Sequence, residues 1–266
     1  MNEPTTPVPA HSRRRVLAVA LAAAAQATFA TAALAGCADS TTGTVSTSGA
    51  VDTGEAEGTR PPGTSFGSPV VANGNQALER LMAGNARFVA AQDQDLDEGI
   101  ARRVAVSKGQ HPFATILGCV DSRVPIELVF DQGLGDLVVV RSAGGALDQS
   151  VTGSIEFGIA ELHTPLLVVL GHQRCGALDA TMKALDAEQR TSHTKGLDYL
   201  VDTLAPAVRQ VVGKPGDRLT NAVQANVALT LTKLRQSSVI GPMEKSGKLK
   251  LAAAYYELDT GRVVLL

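Results

Sequence analysis

Two short motifs carry side chains that could hold a metal ion. Cys119 and His172 each follow an apolar run, and Cys175 lies three positions after His172. Thiolate sulfur and imidazole nitrogen are ligands that suit Zn²⁺. Three protein ligands leave the fourth tetrahedral position to water or to a carboxylate, as in a catalytic zinc site rather than a closed structural one. The sequence therefore predicts one Zn²⁺ ion per subunit at these three residues.

A carboxylate and a guanidinium stand beside the first thiolate. Asp121 and Arg123 follow Cys119 by two and four positions. We expect Asp121 either to orient a zinc-bound hydroxide by accepting its hydrogen bond or to occupy the fourth ligand position itself. Arg123 could hold Asp121 away from the metal by two parallel hydrogen bonds. A structural salt bridge or helix cap at a strand–helix turn is the alternative interpretation of this pair.

Composition limits the class of protein. The chain has 266 residues, a net charge of −2 and 44% hydrophobic residues, enough for one domain with a sizeable core. The balanced charge and the 3% aromatic content, with no Trp, argue against nucleic acid as a partner. Three cysteines are too few for a disulfide scaffold, although a single disulfide between Cys119 and Cys175 in an exported protein is an alternative to metal binding.

The N-terminal segment is typical of an export signal. Arginines 13–15 precede an Ala-rich apolar stretch that runs to Ala35, a pattern similar to a twin-arginine signal. The stretch ends in a sequence that resembles a lipobox, with Cys37 as the lipidated residue. Cleavage after Ala35 and an uncleaved membrane anchor are the alternatives. We therefore predict a signal at 1–37, a flexible Ser/Thr/Gly/Pro linker at 38–72, a domain at 73–266, and a location at the cell envelope, either tethered to the membrane through Cys37 or periplasmic or extracellular.

The rest of the chain alternates strand and helix patterns. Predicted strands lie at 113–118, 137–140 and 166–170, and predicted helices at 73–91, 151–162, 177–185, 196–212 and 221–236. A closing hairpin is predicted from 249–258 and 262–266. This order predicts an α/β fold, a mainly parallel sheet of about four strands plus a C-terminal antiparallel strand, flanked by helices. Cys119 and His172 then fall at the carboxyl ends of strands, where ligands of such sheets bind.

The two motifs together resemble those of the β-class carbonic anhydrases. The family pattern, C-x-D-x-R followed by H-x-x-C, matches this chain at Cys119, Asp121, Arg123, His172 and Cys175. Further similar segments are 84–88, 130–136, Arg141 with 143–145, and 257–261.

The resemblance implies an enzyme, a zinc-dependent carbonate dehydratase. Its reaction would be the reversible hydration of CO₂ to bicarbonate and a proton by zinc-bound hydroxide, in a homodimer or homotetramer with active sites near the interface. Gln110 matches a family glutamine that hydrogen-bonds the substrate, usually across the interface, and an exposed turn residue is the alternative. Val138 and Phe157 replace a usual aromatic and a common tyrosine, so we expect a reshaped CO₂ pocket.

Two other functions are open at this stage. One is a hydrolase of CS₂ or COS on the same scaffold, and the other is a non-catalytic zinc-binding lipoprotein. Asp121 and Arg123 favour an enzyme, because a purely structural zinc site does not need them.

Overall fold

The computed structural model describes residues 71–92, 99–187 and 194–266. The predicted signal segment and positions 38–70 of the predicted linker lie outside the described residues. Within the described ranges, the helices are too short or too polar to cross a bilayer.

The described residues form one five-stranded sheet with the order β2-β1-β3-β4-β5. Strands β1 to β4 run parallel to one another, and β5 runs antiparallel to β4. The predicted sheet, including its C-terminal antiparallel strand, is therefore confirmed. The strands are β1 (Ala114–Cys119), β2 (Leu137–Ser142), β3 (Leu166–His172), β4 (Lys250–Tyr256) and β5 (Val263–Leu265).

Helices flank this sheet, and the five predicted ones are confirmed with ends that differ by up to three residues. Three short helices, α2, α3 and α8, were not predicted, because four to seven residues are too few to show a helical apolar period. The helices are α1 (Gly74–Val89), α2 (Ile100–Val106), α3 (Ile126–Val129), α4 (Gln149–Ala160), α5 (Gly176–Asp186), α6 (Lys195–Gln210), α7 (Arg218–Leu234) and α8 (Ile240–Lys245), with a 3₁₀ turn at Ala143–Gly145.

The central strands are buried on both faces. All six residues of β1 are buried, as expected for a strand of a parallel sheet covered by helices on each side. On one face Ile116 lies in a buried cluster with Leu81 of α1. On the other face Leu117 lies in a cluster with Ile155 of α4. This packing on both faces holds β1 in place, and with it the last residue of the strand, Cys119.

Asn85 ties α1 to two distant parts of the chain. Its Nδ2 donates to the carbonyl oxygens of Val129 and Gly261, at 3.0 and 2.8 Å. Its Oδ1 accepts a hydrogen bond from the backbone N–H of Val263 at 2.8 Å. The side chain is buried, so these bonds satisfy polar groups that would otherwise be costly to bury. Asn85 thus fastens the C-terminal hairpin to the first helix.

Candidate metal centre

The structure brings the three predicted zinc ligands together. Cys119 ends β1, His172 ends β3, and Cys175 directly precedes α5. Because β1 and β3 are adjacent and parallel, their carboxyl ends meet at one edge of the sheet. The two Sγ atoms and one imidazole nitrogen lie within 4.8 Å of one another, and all three side chains are buried.

His172 is oriented as a metal ligand would be. Its Nδ1 atom lies 3.0 Å from the carbonyl oxygen of Gln173. A neutral imidazole that donates this hydrogen bond leaves the lone pair of Nε2 free. Among the described residues, the buried Nε2 has no hydrogen-bond partner. A metal ion between the imidazole and the two sulfurs would satisfy this atom, so the residues present fit Zn²⁺.

Cys119 and Cys175 are free thiols rather than a disulfide. A hydrogen bond from Cys175, with help from the Gly144 N–H 3.2 Å from Sγ, lowers the pKa of Cys119 to about 4. The same contact with Cys119, together with burial, raises the pKa of Cys175. Both thiols would have to lose their protons to hold a metal ion, since thiolates are the metal-binding form.

Asp121 and Arg123 form the predicted two-bond pair. Arg123 Nε donates to Asp121 Oδ1 at 2.9 Å, and Nη2 donates to Oδ2 at 2.8 Å. The side-chain hydrogen bonds from Arg123, and a further one from its backbone N–H, lower the pKa of Asp121 to about 2. Asp121 Oδ2 lies 3.9 Å from Nε2 of His172. The carboxylate is thus within reach of the metal position but bound to the guanidinium.

Arg141 fixes the backbone that carries these groups. Its Nε donates to the carbonyl oxygen of Cys119 at 2.8 Å, and its Nη2 to that of Asp121 at 2.7 Å. The sequence indicates no such role, because the contact depends on the pairing of β1 with β2, which places Arg141 opposite Gly118. The sequence feature that could have indicated this role of Arg141 is its position at the carboxyl end of a second predicted strand.

A second arginine–aspartate pair lies next to the centre, and the sequence does not predict it. Arg174 donates from Nη1 and Nη2 to the two carboxylate oxygens of Asp259, at 2.8 and 2.6 Å. The hydrogen bond to Asp259 raises the pKa of Arg174, whereas the positive charge of Arg123 acts in the opposite direction. The carbonyl oxygen of Arg174 accepts a hydrogen bond from Arg123 Nη2 at 3.2 Å.

Three residues predicted to bind or surround the substrate lie away from the candidate metal centre of their own chain. Gln110 is exposed and precedes β1, whereas Cys119 ends it, and six extended residues separate the two ends by about 17 Å. Val138 pairs with Thr115, four pairs before Cys119. Phe157 is exposed on α4. The expectation that Val138 and Phe157 reshape the CO₂ pocket stays a prediction, since neither residue lies beside Cys119 of its own chain.

The fold and the ligand set define the class of protein, which is an α/β protein with a candidate mononuclear metal centre at the carboxyl edge of its sheet. Residues 114–263 match the carbonic anhydrase family model. Carbonic anhydrase 2 of Mycobacterium tuberculosis (strain CDC 1551 / Oshkosh) is 38% identical over 193 residues, which cover 71% of this chain and 91% of that protein. The carbonic anhydrase of Mycolicibacterium smegmatis is 39% identical over 192 residues, with the same coverage of 71% and 91%.

Solved structures agree with this result. The β-carbonic anhydrase CcaA superposes with a TM-score of 0.56 at 25% identity, covering 71% of this chain and 94% of that chain. A structure from Sordaria macrospora, described as one of two tetrameric β-carbonic anhydrases, superposes with a TM-score of 0.56 at 22% identity, covering 72% and 97%, and shows likeness of fold. The chain belongs to the carbonic anhydrase family and is a β-class member. It is therefore an enzyme of the carbonate dehydratase type.

Proposed function

We propose that this enzyme catalyses the reversible hydration of CO₂ to bicarbonate and a proton, with one Zn²⁺ held by Cys119, His172 and Cys175. The observation that carries the proposal is the buried, unpartnered Nε2 of His172, which faces two thiols and lies 3.9 Å from Asp121. When bound, Zn²⁺ would act as a Lewis acid that makes a water molecule nucleophilic near neutral pH.

Asp121 would orient that water. Its pKa of about 2 keeps the carboxylate ionised at neutral pH, so it can accept a hydrogen bond from the attacking water. Arg123 occupies both carboxylate oxygens and so restrains Asp121 from becoming a fourth metal ligand. We propose that Asp121 acts in both roles, as orienting group when bound to Arg123 and as fourth ligand when released.

An apolar wall borders the three ligands. Leu178 of α5 and Val223 and Val227 of α7 line the small cavity beside them. CO₂ is uncharged and has no net dipole, so an apolar wall accepts it, whereas bicarbonate is better solvated outside. We infer that this wall favours entry of substrate and departure of the charged product.

We propose a homodimer or homotetramer in which Gln110 and Val138 serve the site of a neighbouring subunit. Both residues lie far from Cys119 of their own chain, and β2, which carries Val138, is an edge strand of the described sheet. The Sordaria macrospora relative is described as tetrameric. Mixing inactive Gln110→Ala chains with inactive Cys119→Ser chains tests this. Recovery of activity in the mixed oligomer supports the shared site, and no recovery contradicts it.

The CO₂ reaction itself is tested by stopped-flow measurement of proton release on zinc-loaded protein. We expect a rate that a zinc chelator and Cys119→Ser both abolish. A rate no higher than that of buffer, with one Zn²⁺ bound per chain, would contradict the proposal. The relatives compared above are named carbonic anhydrases, so they give no support to a CS₂ or COS hydrolase or to a non-catalytic zinc lipoprotein.

We also propose that the protein is exported and attached to a membrane through Cys37. The support is the sequence pattern of residues 1–37 alone. Replacement of Arg13 and Arg14 by Lys is expected to retain the protein in the cytoplasm, and Cys37→Ser to remove the lipid, which mass measurement of the N-terminal peptide detects. Export unchanged by the Lys replacements would contradict the twin-arginine route.

A further inference from the structure

We propose that Asp259 is a positioning residue for the metal centre: it holds Arg174, which holds Arg123 in the orientation that keeps Asp121 off the metal. We call the Arg174–Asp259 pair the latch. The inference rests on the proposed function, since it assigns a role in the handling of Asp121.

The latch joins two segments that are distant in sequence. Arg174 belongs to the loop between His172 and Cys175, and Asp259 belongs to the turn between β4 and β5. Besides the two bonds from Arg174, Asp259 accepts a hydrogen bond from Gln173 Nε2 at 2.9 Å and donates its backbone N–H to Gln173 Oε1 at 3.2 Å. The turn therefore forms hydrogen bonds with both residues that lie between the ligands His172 and Cys175.

The link from the latch to Asp121 is a single carbonyl group. Arg123 Nη2 donates to the carbonyl oxygen of Arg174 at 3.2 Å and to Asp121 Oδ2 at 2.8 Å. The direction of that carbonyl depends on the backbone of Arg174, whose φ of 53° lies in the left-handed region. A non-Gly residue keeps this conformation only when its surroundings hold it. The bonds to Asp259 supply that restraint.

Charge supports the same conclusion. Arg123 Nη2 lies 3.2 Å from the carbonyl oxygen of Arg174. The hydrogen bond to Asp259 raises the pKa of Arg174, and the positive charge of Arg123 acts to lower it. Asp259 balances the charge of Arg174 and binds its guanidinium at the β4–β5 turn. Without Asp259, the Arg174 guanidinium would be free to compete with Arg123 for the Asp121 carboxylate.

A simple stabilising role does not account for the latch. The side chains of Arg174 and Asp259 are 51% and 60% exposed, and exposed ion pairs contribute little to folding stability. The chain offers a matched control: Arg218 binds Asp186 by two bonds of 2.6 and 3.0 Å, with side-chain exposures of 37% and 53%, and these residues lie on α7 and α5. Asp186→Asn removes an equivalent pair that has no contact with Arg123.

The test uses the full-length protein and the variants Asp259→Asn, Arg174→Gly and Asp186→Asn, each with Asp121 intact and with Asp121→Asn. Arg174→Gly removes the guanidinium while tolerating the left-handed backbone. The first readout is the visible absorption spectrum of the Co²⁺-loaded protein, which responds to a change of ligand on the metal. The second readout is kcat/KM for CO₂ hydration.

We expect both latch variants to change the Co²⁺ spectrum when Asp121 is present and not in the Asp121→Asn background. With Asp121 present, we expect kcat/KM of both latch variants to fall about three- to tenfold. In the Asp121→Asn background we expect the same replacements to leave kcat/KM unchanged, which is the result for coupled residues in a double-mutant cycle. Asp186→Asn should change neither. Equal losses in both backgrounds, or spectra like that of the control, would overturn the proposal.

The two proposals fail separately. If the unmodified protein does not hydrate CO₂, the proposed function fails. The Co²⁺ spectra would still show whether the latch controls Asp121.

Discussion

The Oδ2 atom of Asp121 lies 3.9 Å from Nε2 of His172 and, at the same time, accepts a hydrogen bond of 2.8 Å from Arg123. One oxygen atom therefore stands between the candidate metal position and a guanidinium. Whether Asp121 orients water or becomes a metal ligand depends on whether that oxygen is bound to Arg123 or to the metal.

Asp121→Asn should separate metal binding from turnover. The amide cannot accept hydrogen bonds at both atoms or carry the negative charge, while the three ligands remain. We expect one Zn²⁺ per chain by metal analysis and a kcat/KM reduced by about 100-fold, as for removal of a group that assists proton transfer. Asp186→Asn serves as the control for loss of an arginine-paired aspartate. Loss of zinc from the Asp121 variant, or an unchanged rate, would show that its role is a different one.

Replacement of either buried cysteine should abolish metal binding. Cys119→Ser and Cys175→Ser each remove a thiolate from a three-residue set, and a hydroxyl is a far poorer zinc ligand at neutral pH. We expect less than a tenth of the zinc to remain after dialysis against a weak chelator, about a 10-fold loss at minimum. Cys37→Ser is the matched control, with zinc content unchanged. Full retention of zinc in Cys175→Ser would remove Cys175 from the ligand set.

Acid stability should respond to Asp259. Hydrogen bonds from Arg174 lower the pKa of Asp259 from 3.8 to about 2 in the folded protein. A carboxyl whose pKa is depressed by folding stabilises the protein above its unfolded pKa, and this contribution is lost as pH falls through the folded pKa. Because the pair is exposed the contribution is small, so between about pH 4 and pH 2 Asp259→Asn should lose only slightly less stability than the unmodified protein. Denaturant unfolding of metal-free protein at several pH values measures this, and parallel curves would contradict it.

Two helical glycines should respond oppositely to alanine. A Cβ on Gly84 of α1 would overlap the carbonyl oxygen of Phe130, which is backbone and cannot move aside cheaply. Gly84→Ala is expected to lower the free energy of unfolding by about 1–3 kcal/mol. Gly153 of α4 has nothing within 4 Å of its Cβ position, so Gly153→Ala should raise it by about 0.5–1 kcal/mol. Thermal and denaturant unfolding test both, and equal effects would show that the close approach at Gly84 is not what matters.

Activity should rise with pH around neutrality, and deprotonation of Asp121 should not be the cause of that rise. Its pKa of about 2 means that the carboxylate is already ionised at all pH values of interest. The rise should then follow deprotonation of the nucleophilic water. Stopped-flow rates between about pH 6 and pH 9 test this, since zinc lowers the pKa of a bound water to near 7. A rate independent of pH in this range would contradict it.

The parts of the fold that sequence predicts are those with a continuous or periodic apolar pattern. β1 and β3 are buried along nearly their whole length, so their apolar runs are visible in the chain. Helix α2 has no buried residue and therefore leaves no apolar pattern to find. The five residues of the centre were recognisable because metal ligation and carboxylate binding restrict residue type strongly at short spacing.

The contacts that support the centre were not predictable in this way. Arg174 and Asp259 are separated by 85 positions, and nothing in either local sequence indicates that the β4–β5 turn reaches the loop after β3. Their meeting depends on the register that pairs His172 with Tyr256. Gln110 is separated from Cys119 by the extended strand β1, so its role across a subunit interface, which the family resemblance implies, stays a prediction.

The dependence of the centre on the C-terminal hairpin has a consequence for the order of events during synthesis. The metal ligands lie between residues 119 and 175, yet the Gln173 N–H is held by the carbonyl oxygen of Tyr256, and Asn85 is held by Val263. A growing chain that has been synthesised as far as Cys175 contains all three ligands. It still lacks the strands and the turn that hold those ligands in place. Almost ninety further residues must be added before β4, β5 and their turn can hold these ligands, so we expect metal binding only after Val263 has been synthesised.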